Sequence, residues 1–77
     1  MASSQNDTYK ANGTEGTTLT RTILIGYTIL LCFQGSFPLK QVTTTPNVGE
    51  FKFDSTTGIL TFGASLELNQ IIQTIYK

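Results

Sequence analysis

Between Thr18 and Lys77, acid-base, nucleophilic or metal chemistry would have to come from Cys32, Glu50, Asp54 and Glu67. A catalytic cysteine needs a base beside it, most often histidine, and the sequence contains no histidine. Cys32 sits in an apolar run and reads as a small buried side chain. Glu50 and Asp54 share one face of a predicted strand. Four residues at a strand's rise place them about 13 Å apart, too far for a glycosidase pair. One thiol and no imidazole cannot build a zinc site. The "NGTEG" stretch, residues 12 to 16, has two glycines, but no strand precedes it and no phosphate-loop lysine follows. Its Asn12-Gly13-Thr14 also matches a glycosylation acceptor. "DSTTG" matches a calcium loop only in its first residue and reads as a hairpin loop. The chain is therefore expected to be no enzyme and to carry no cofactor or metal.

Few groups are left to do chemistry, so the elements that hold them carry the argument. Seventy-seven residues make one small domain, which buries a modest share of its surface. Disulfides, metals or oligomers usually supplement such cores, and a single cysteine excludes an intrachain disulfide. Oligomerisation remains. Five basic residues balance five acidic ones and are spread singly, so no stripe exists to neutralise phosphates and no nucleic-acid partner is expected. Residues 1 to 20 lack the apolar core of a secretory signal. The longest apolar run, Ile23 to Phe33, is eleven residues, against roughly 20 for a spanning helix. A membrane anchor over residues 22 to 39 would have to cross Gln34, Gly35, Ser36 and Pro38, and ranks last among the non-enzymatic readings.

Residues 1 to 17 are polar and aperiodic, with Tyr9 the only large apolar group in "ASSQNDTYKANGTEGT". Such a segment cannot offset its ordering entropy, so it is expected to be an extended arm that docks through Tyr9 on a neighbouring chain. Residues 18 to 77 read as the folded domain. "TLTRTILI" alternates with Leu19, Ile23 and Ile25 on one face, Arg21 falling on that same face. "ILLCF" is apolar on both faces, as in a strand covered on both sides. Gln34-Gly35 reads as a tight turn with Gly35 at positive φ, and Pro38 puts "FPL" at a sheet edge. "TTTPN" is a loop. "EFKFD" points Phe51 and Phe53 inward, "STTG" is a hairpin loop, and "ILTF" is its paired strand. "GASLELNQ" is a connection with Leu66 and Leu68 tucked inward, and "IIQTIY" is the last strand. These patterns predict an all-β protein: a small antiparallel β-sandwich or jelly-roll-like module of five to six short strands, with an extended N-terminal arm.

The strands hold more apolar groups than one thin sandwich needs. Leu24, Leu30, Leu60, Phe62, Ile72 and Tyr76 fall on second faces and are the expected subunit interface. Covering each is worth roughly 1.5 to 3 kcal/mol. Tyr27 and Phe37, beside polar loops, are the candidates for contact with a ligand such as a sugar ring.

The run "TILIGYT-ILLCFQGSFPL" with "FKFDSTTGILTFGASLELNQIIQTIY" resembles the small β modules of phage fibre, spike and other virion surface proteins. Gly26-Tyr27-Thr28, Gln34-Gly35, Pro38-Leu39, Phe53 through Gly58 to Phe62, Leu66 and Ile71 to Tyr76 carry the likeness. Gln34 stands where Asn is usual, and Asn69-Gln70 where Gly-Asp is favoured. The resemblance implies a non-enzymatic virion structural component, often trimeric, whose N-terminal arm attaches to other virion proteins. A carbohydrate- or receptor-binding module is the second expectation.

Overall fold

A computed structural model describes residues 4 to 77, and what the arm reading says of residues 1 to 3 lies outside them. Eight strands form: β1 (Gln5–Lys10), β2 (Thr18–Thr20), β3 (Ile29–Gln34), β4 (Phe37–Pro38), β5 (Lys40–Gln41), β6 (Glu50–Asp54), β7 (Ile59–Phe62) and β8 (Ile71–Tyr76). They make two four-stranded sheets, ordered β1-β8-β3-β4 and β2-β7-β6-β5, the layout of a small β-sandwich. All pairings are antiparallel except β5 with β6.

Period-two alternation explains the core. In the second sheet, Leu19, Leu60, Phe62 and Phe51 point inward, with Phe53 half-buried beside them. Ile72, Thr74 and Tyr76 of β8 face them from the first sheet, together with Ile29 and Cys32 of β3. Leu24, Leu66 and Ala11 close the ends. The hairpin "STTG" forms as its sequence predicts, with Asp54 Oδ1 accepting the Thr56 N–H at 2.9 Å. That backbone bond is the main reason the Asp54 carboxyl lies below its ordinary pKa.

Four expectations are corrected. The strand predicted over 18 to 25 stops at Thr20, and Thr22–Leu24 forms a 3-10 turn. The chain leaves one sheet here for the other: the Arg21 N–H donates to Gly58 O at 2.8 Å as the last bond in the β2–β7 register, and the Leu24 and Ile25 N–H groups then turn back to Arg21 O and Thr22 O at 3.0 and 3.1 Å. The face inverts as a result: Leu24 is fully buried, while Ile23 and Ile25 are exposed. In β3 the register shifts between Ile29 and Leu31, and this bulge leaves Leu30 and Leu31 each 49% exposed rather than covered. Leu68 is exposed because the loop from Gly63 to Gln70 turns in only Leu66.

The fourth correction concerns the N-terminal segment. Gln5–Lys10 is no free arm. It pairs along its whole length with β8, from Gln5 opposite Tyr76 to Lys10 opposite Ile71. The boundary drawn at residue 17 therefore separates nothing over residues 5 to 17, which belong to the domain. Asp7 and Tyr9 point inward, and the Arg21 guanidinium grips Asp7 with two bonds of 2.7 and 2.8 Å. Its carbon lies 5.2 Å from the centre of the Tyr9 ring. Tyr9, expected to dock on a neighbouring chain, docks on its own. The Cα radius of gyration is 11.5 Å, which matches the roughly 11.5 Å of a closed domain this long.

The connection after β1 is closed by one carboxylate. Glu15 accepts the Tyr9 hydroxyl at 2.6 Å and the Asn12 and Gly13 backbone N–H groups at 2.9 and 3.1 Å. Led by the Tyr9 bond, these hold the Glu15 carboxyl down at about 2. The same bond raises the Tyr9 phenol. A depressed folded pKa gives stabilisation that is complete above the ordinary value of 4.5 and is lost as the pH falls through about 2. Following the Glu15 carboxyl carbon by NMR should give a midpoint near 2, and a midpoint near 4.5 would show that this loop is open.

Candidate functional site

The hairpin from β3 to β4 builds one wall of a groove at an end of the sandwich. Gly35, at φ 67°, takes the first central position of a two-residue turn, and its N–H donates to Ile71 O at 2.7 Å. Gln34 therefore sits directly opposite Phe37. Phe37, 63% exposed, sets its ring edge beside Gly49, and Val48 from the loop before β6 lines the same groove. Gln34, Leu39, Gly49, Ala64, Ser65, Glu67 and Gln70 complete a groove of about 200 Å³.

Two carboxamides form its polar wall. Gln34 is buried and directs its Nε2 at Ala64 O, Ser65 O and Gln70 Oε1, at 3.2, 3.4 and 3.3 Å. Gln70 Oε1 also accepts the Glu67 backbone N–H at 3.1 Å. Backbone partners thus fix both amide orientations: carbonyls require the Gln34 nitrogen, and an N–H requires the Gln70 oxygen. Gln34 Oε1 and Gln70 Nε2 remain without a hydrogen-bond partner among the described residues.

Most acidic side chains of the chain are spoken for elsewhere. Asp7 is paired with Arg21, Glu15 closes its loop, Glu50 Oε1 accepts the Asn47 N–H at 2.8 Å, and Asp54 holds its hairpin. Glu67 is the exception, since its carboxylate makes no bond among the described residues, and it lines the groove. The sequence singled out Phe37 and counted Glu67 among the groups able to do chemistry, but it did not join them to each other or to Gln34 and Gln70. The available signal was weak: two glutamines and a glutamate flanking turn residues, with nothing in the pattern to join them.

The second candidate surface is the outer side of the β1-β8-β3-β4 sheet. Leu31 lies across from Ile75, and Phe33 lies between Gln73 and Pro38. Ile71 extends the stripe towards Lys10. Leu31 and Ile71 are exposed, and Phe33 and Ile75 are half-buried.

The interface expected from the sequence is corrected here. Leu24, Leu60, Phe62, Ile72 and Tyr76 lie inside the chain's own core, because the two sheets close over both sets of faces. Of the six, Leu30 alone is exposed. Tyr27 packs edge-on against Tyr76, centroids 5.0 Å apart, at the opposite end of β3 from Phe37. A strand of that length separates them by roughly 16 Å, so the two candidate ligand contacts do not share a site. Residues 22 to 39, considered as a membrane anchor, form the 3-10 turn, β3 and β4; no described helix is long and apolar enough to cross a membrane.

Cys32 is buried against Thr74, with Sγ 3.9 Å from Oγ1. Burial pushes its thiol up to about 11. A thiol-reactive dye at pH 8 should label the native protein at least tenfold more slowly than the urea-unfolded chain. Equal rates would show that β3 opens readily.

No protein-family model, curated protein or solved structure matches the chain.

Proposed function

We propose that the protein is a non-catalytic structural module of a virus particle that assembles with copies of itself through the outer face of the β1-β8-β3-β4 sheet. The observation that carries this reading is the apolar stripe of Leu31, Phe33, Ile71 and Ile75, widened by Leu30 at the bulge. A 77-residue chain has little core to spare, so leaving these groups in water costs stability that a second copy would recover. Two lysines flank the stripe, Lys10 opposite Ile71 and Lys77 two residues beyond Ile75 on the same face, and its centre carries no charge.

The virion assignment and a trimeric state rest on the resemblance to fibre and spike modules. The strand orders support a jelly-roll-like wrapping: the first strand pairs with the last in one sheet, and the second with the seventh in the other. Jelly rolls serve in capsids and in lectins. Attachment to other virion proteins would then use this sheet face rather than a free arm.

Sedimentation equilibrium tests the reading. The chain is expected to run at a multiple of its 8.4 kDa mass. Leu31→Lys should return it to a folded monomer, weakening association at least a hundredfold by burying a charge at the centre of the contact. A wild-type chain that stays monomeric at high concentration would overturn the proposal.

A further inference from the structure

We propose that the groove beside Phe37 binds a single ring of a neutral saccharide. Three observations point to this class. The exposed Phe37 ring offers a flat face with negative charge density, which suits the polarised C–H groups on one side of a pyranose. Around it stand an amide oxygen, an amide N–H₂ and a carboxylate, the mixture of acceptors and donors that adjacent hydroxyls satisfy. The volume, about 200 Å³, is below the roughly 300–1,000 Å³ of sites for drug-sized ligands and suits one ring.

Gln34 gives the strongest indication. Among the described residues no buried side-chain nitrogen or oxygen lacks a partner. The unpartnered Oε1 of this buried glutamine therefore reaches solvent, which it meets in the groove. Its Nε2 is fully engaged with backbone carbonyls and Gln70, so the oxygen cannot turn away without breaking those bonds. An acceptor held in place before any ligand arrives loses little freedom on binding. No cation lines the groove, which disfavours phosphates and acidic sugars. Its sole charge, Glu67, stabilises a hydroxyl donor. The groove opens at the end of the sandwich and not on the apolar sheet face, so the two surfaces do not compete.

The test is a titration of the ¹⁵N-labelled chain, followed by NMR, with glucose, galactose, mannose, N-acetylglucosamine and N-acetylgalactosamine in turn. At least one sugar should give saturable shifts at the amides of Gly35, Phe37, Gly49 and Gln70 and leave Tyr27 unmoved. Phe37→Ala, which removes an exposed ring and should keep the dispersed spectrum, should weaken that binding about tenfold. Phe37→Tyr should restore it. Absence of saturable shifts with every sugar would overturn the proposal, as would binding that survives Phe37→Ala. Shifts at the same amides with choline chloride alone would assign the groove to cations through Phe37 and Glu67, and would equally overturn it.

Discussion

Gly63→Ala is expected to remove a large share of the protein's stability. A Cβ at this position would overlap the carbonyl of Asn47 and lie 2.6 Å from Val48 N. The obstacle is backbone, which cannot swing aside as a flexible side chain would. Gly63 follows β7, and its N–H reaches Glu50 O at 3.3 Å, so the loop from Val42 to Gly49 crosses directly over it. Relieving the overlap would push that loop outward and break the Asn47 turn that Glu50 fastens from both its backbone N–H and its carboxylate. The cost should be about 3 to 5 kcal/mol, against a total of about 4 to 12 kcal/mol for a domain of this length. Urea unfolding followed by circular dichroism would measure it, and a midpoint close to wild type would mean that the loop does not cross where the structure puts it. Val48 and Gly49 also line the groove, so any folded fraction should lose that site.

Arg21→Ala should cost about 2 to 3 kcal/mol, a figure reduced from that of a fully buried pair because the Arg21 side chain is 28% exposed. Asp7 is only 8% exposed, and removing the guanidinium would strand its carboxylate against the core without a partner. The contact with the Tyr9 ring would go too. Asp7 chiefly holds the Arg21 pKa above its ordinary value, so the cation persists at every accessible pH and titration cannot mimic the substitution. The loss should be local at first. Amide exchange in Gln5–Lys10 should speed up more than in β3 or β7, as β1 lifts from β8. Arg21→Lys should recover less than half of the loss, since an ammonium cannot grip both carboxylate oxygens in the same fork. Uniform acceleration across all strands would show instead that β1 is inseparable from the rest.

Much of the second sheet was legible because its residues obey the simplest rule available. In "EFKFDSTTGILTF" two alternating runs flank a loop ending in glycine, and alternation, turn and pairing all agree. The edge position of Pro38 and the positive φ of Gly35 followed from the chemistry of those residues. Residues 18 to 25 misled for a reason equally physical. Leu19, Ile23 and Ile25 alternate well, but the chain must turn a corner there: the β2–β7 register ends with Arg21 opposite Gly58, and the Leu24 and Ile25 N–H groups fold back to Arg21 O and Thr22 O. Gln5–Lys10 misled because its stabilisation is non-local: a carboxylate facing an arginine fourteen residues on, and a ladder with the far end of the chain. Arg21 on an apolar face was the visible trace of that pairing. In the groove, Phe37 announced itself as an exposed aromatic, whereas Gln34 and Gln70 lie 36 positions apart and meet only through the fold.

The pairing of β1 with β8 also sets a timetable. Some sixty residues separate the two strands in sequence, and at a synthesis rate of about 5–20 residues per second the first is made roughly 3 to 12 s before its partner. During that delay an apolar opening strand would invite premature association with other nascent chains. "QNDTYK" is polar enough to wait in water. The composition that makes this segment look unfoldable in isolation is thus what lets it survive until the final strand emerges, so that the sandwich closes late and in one step.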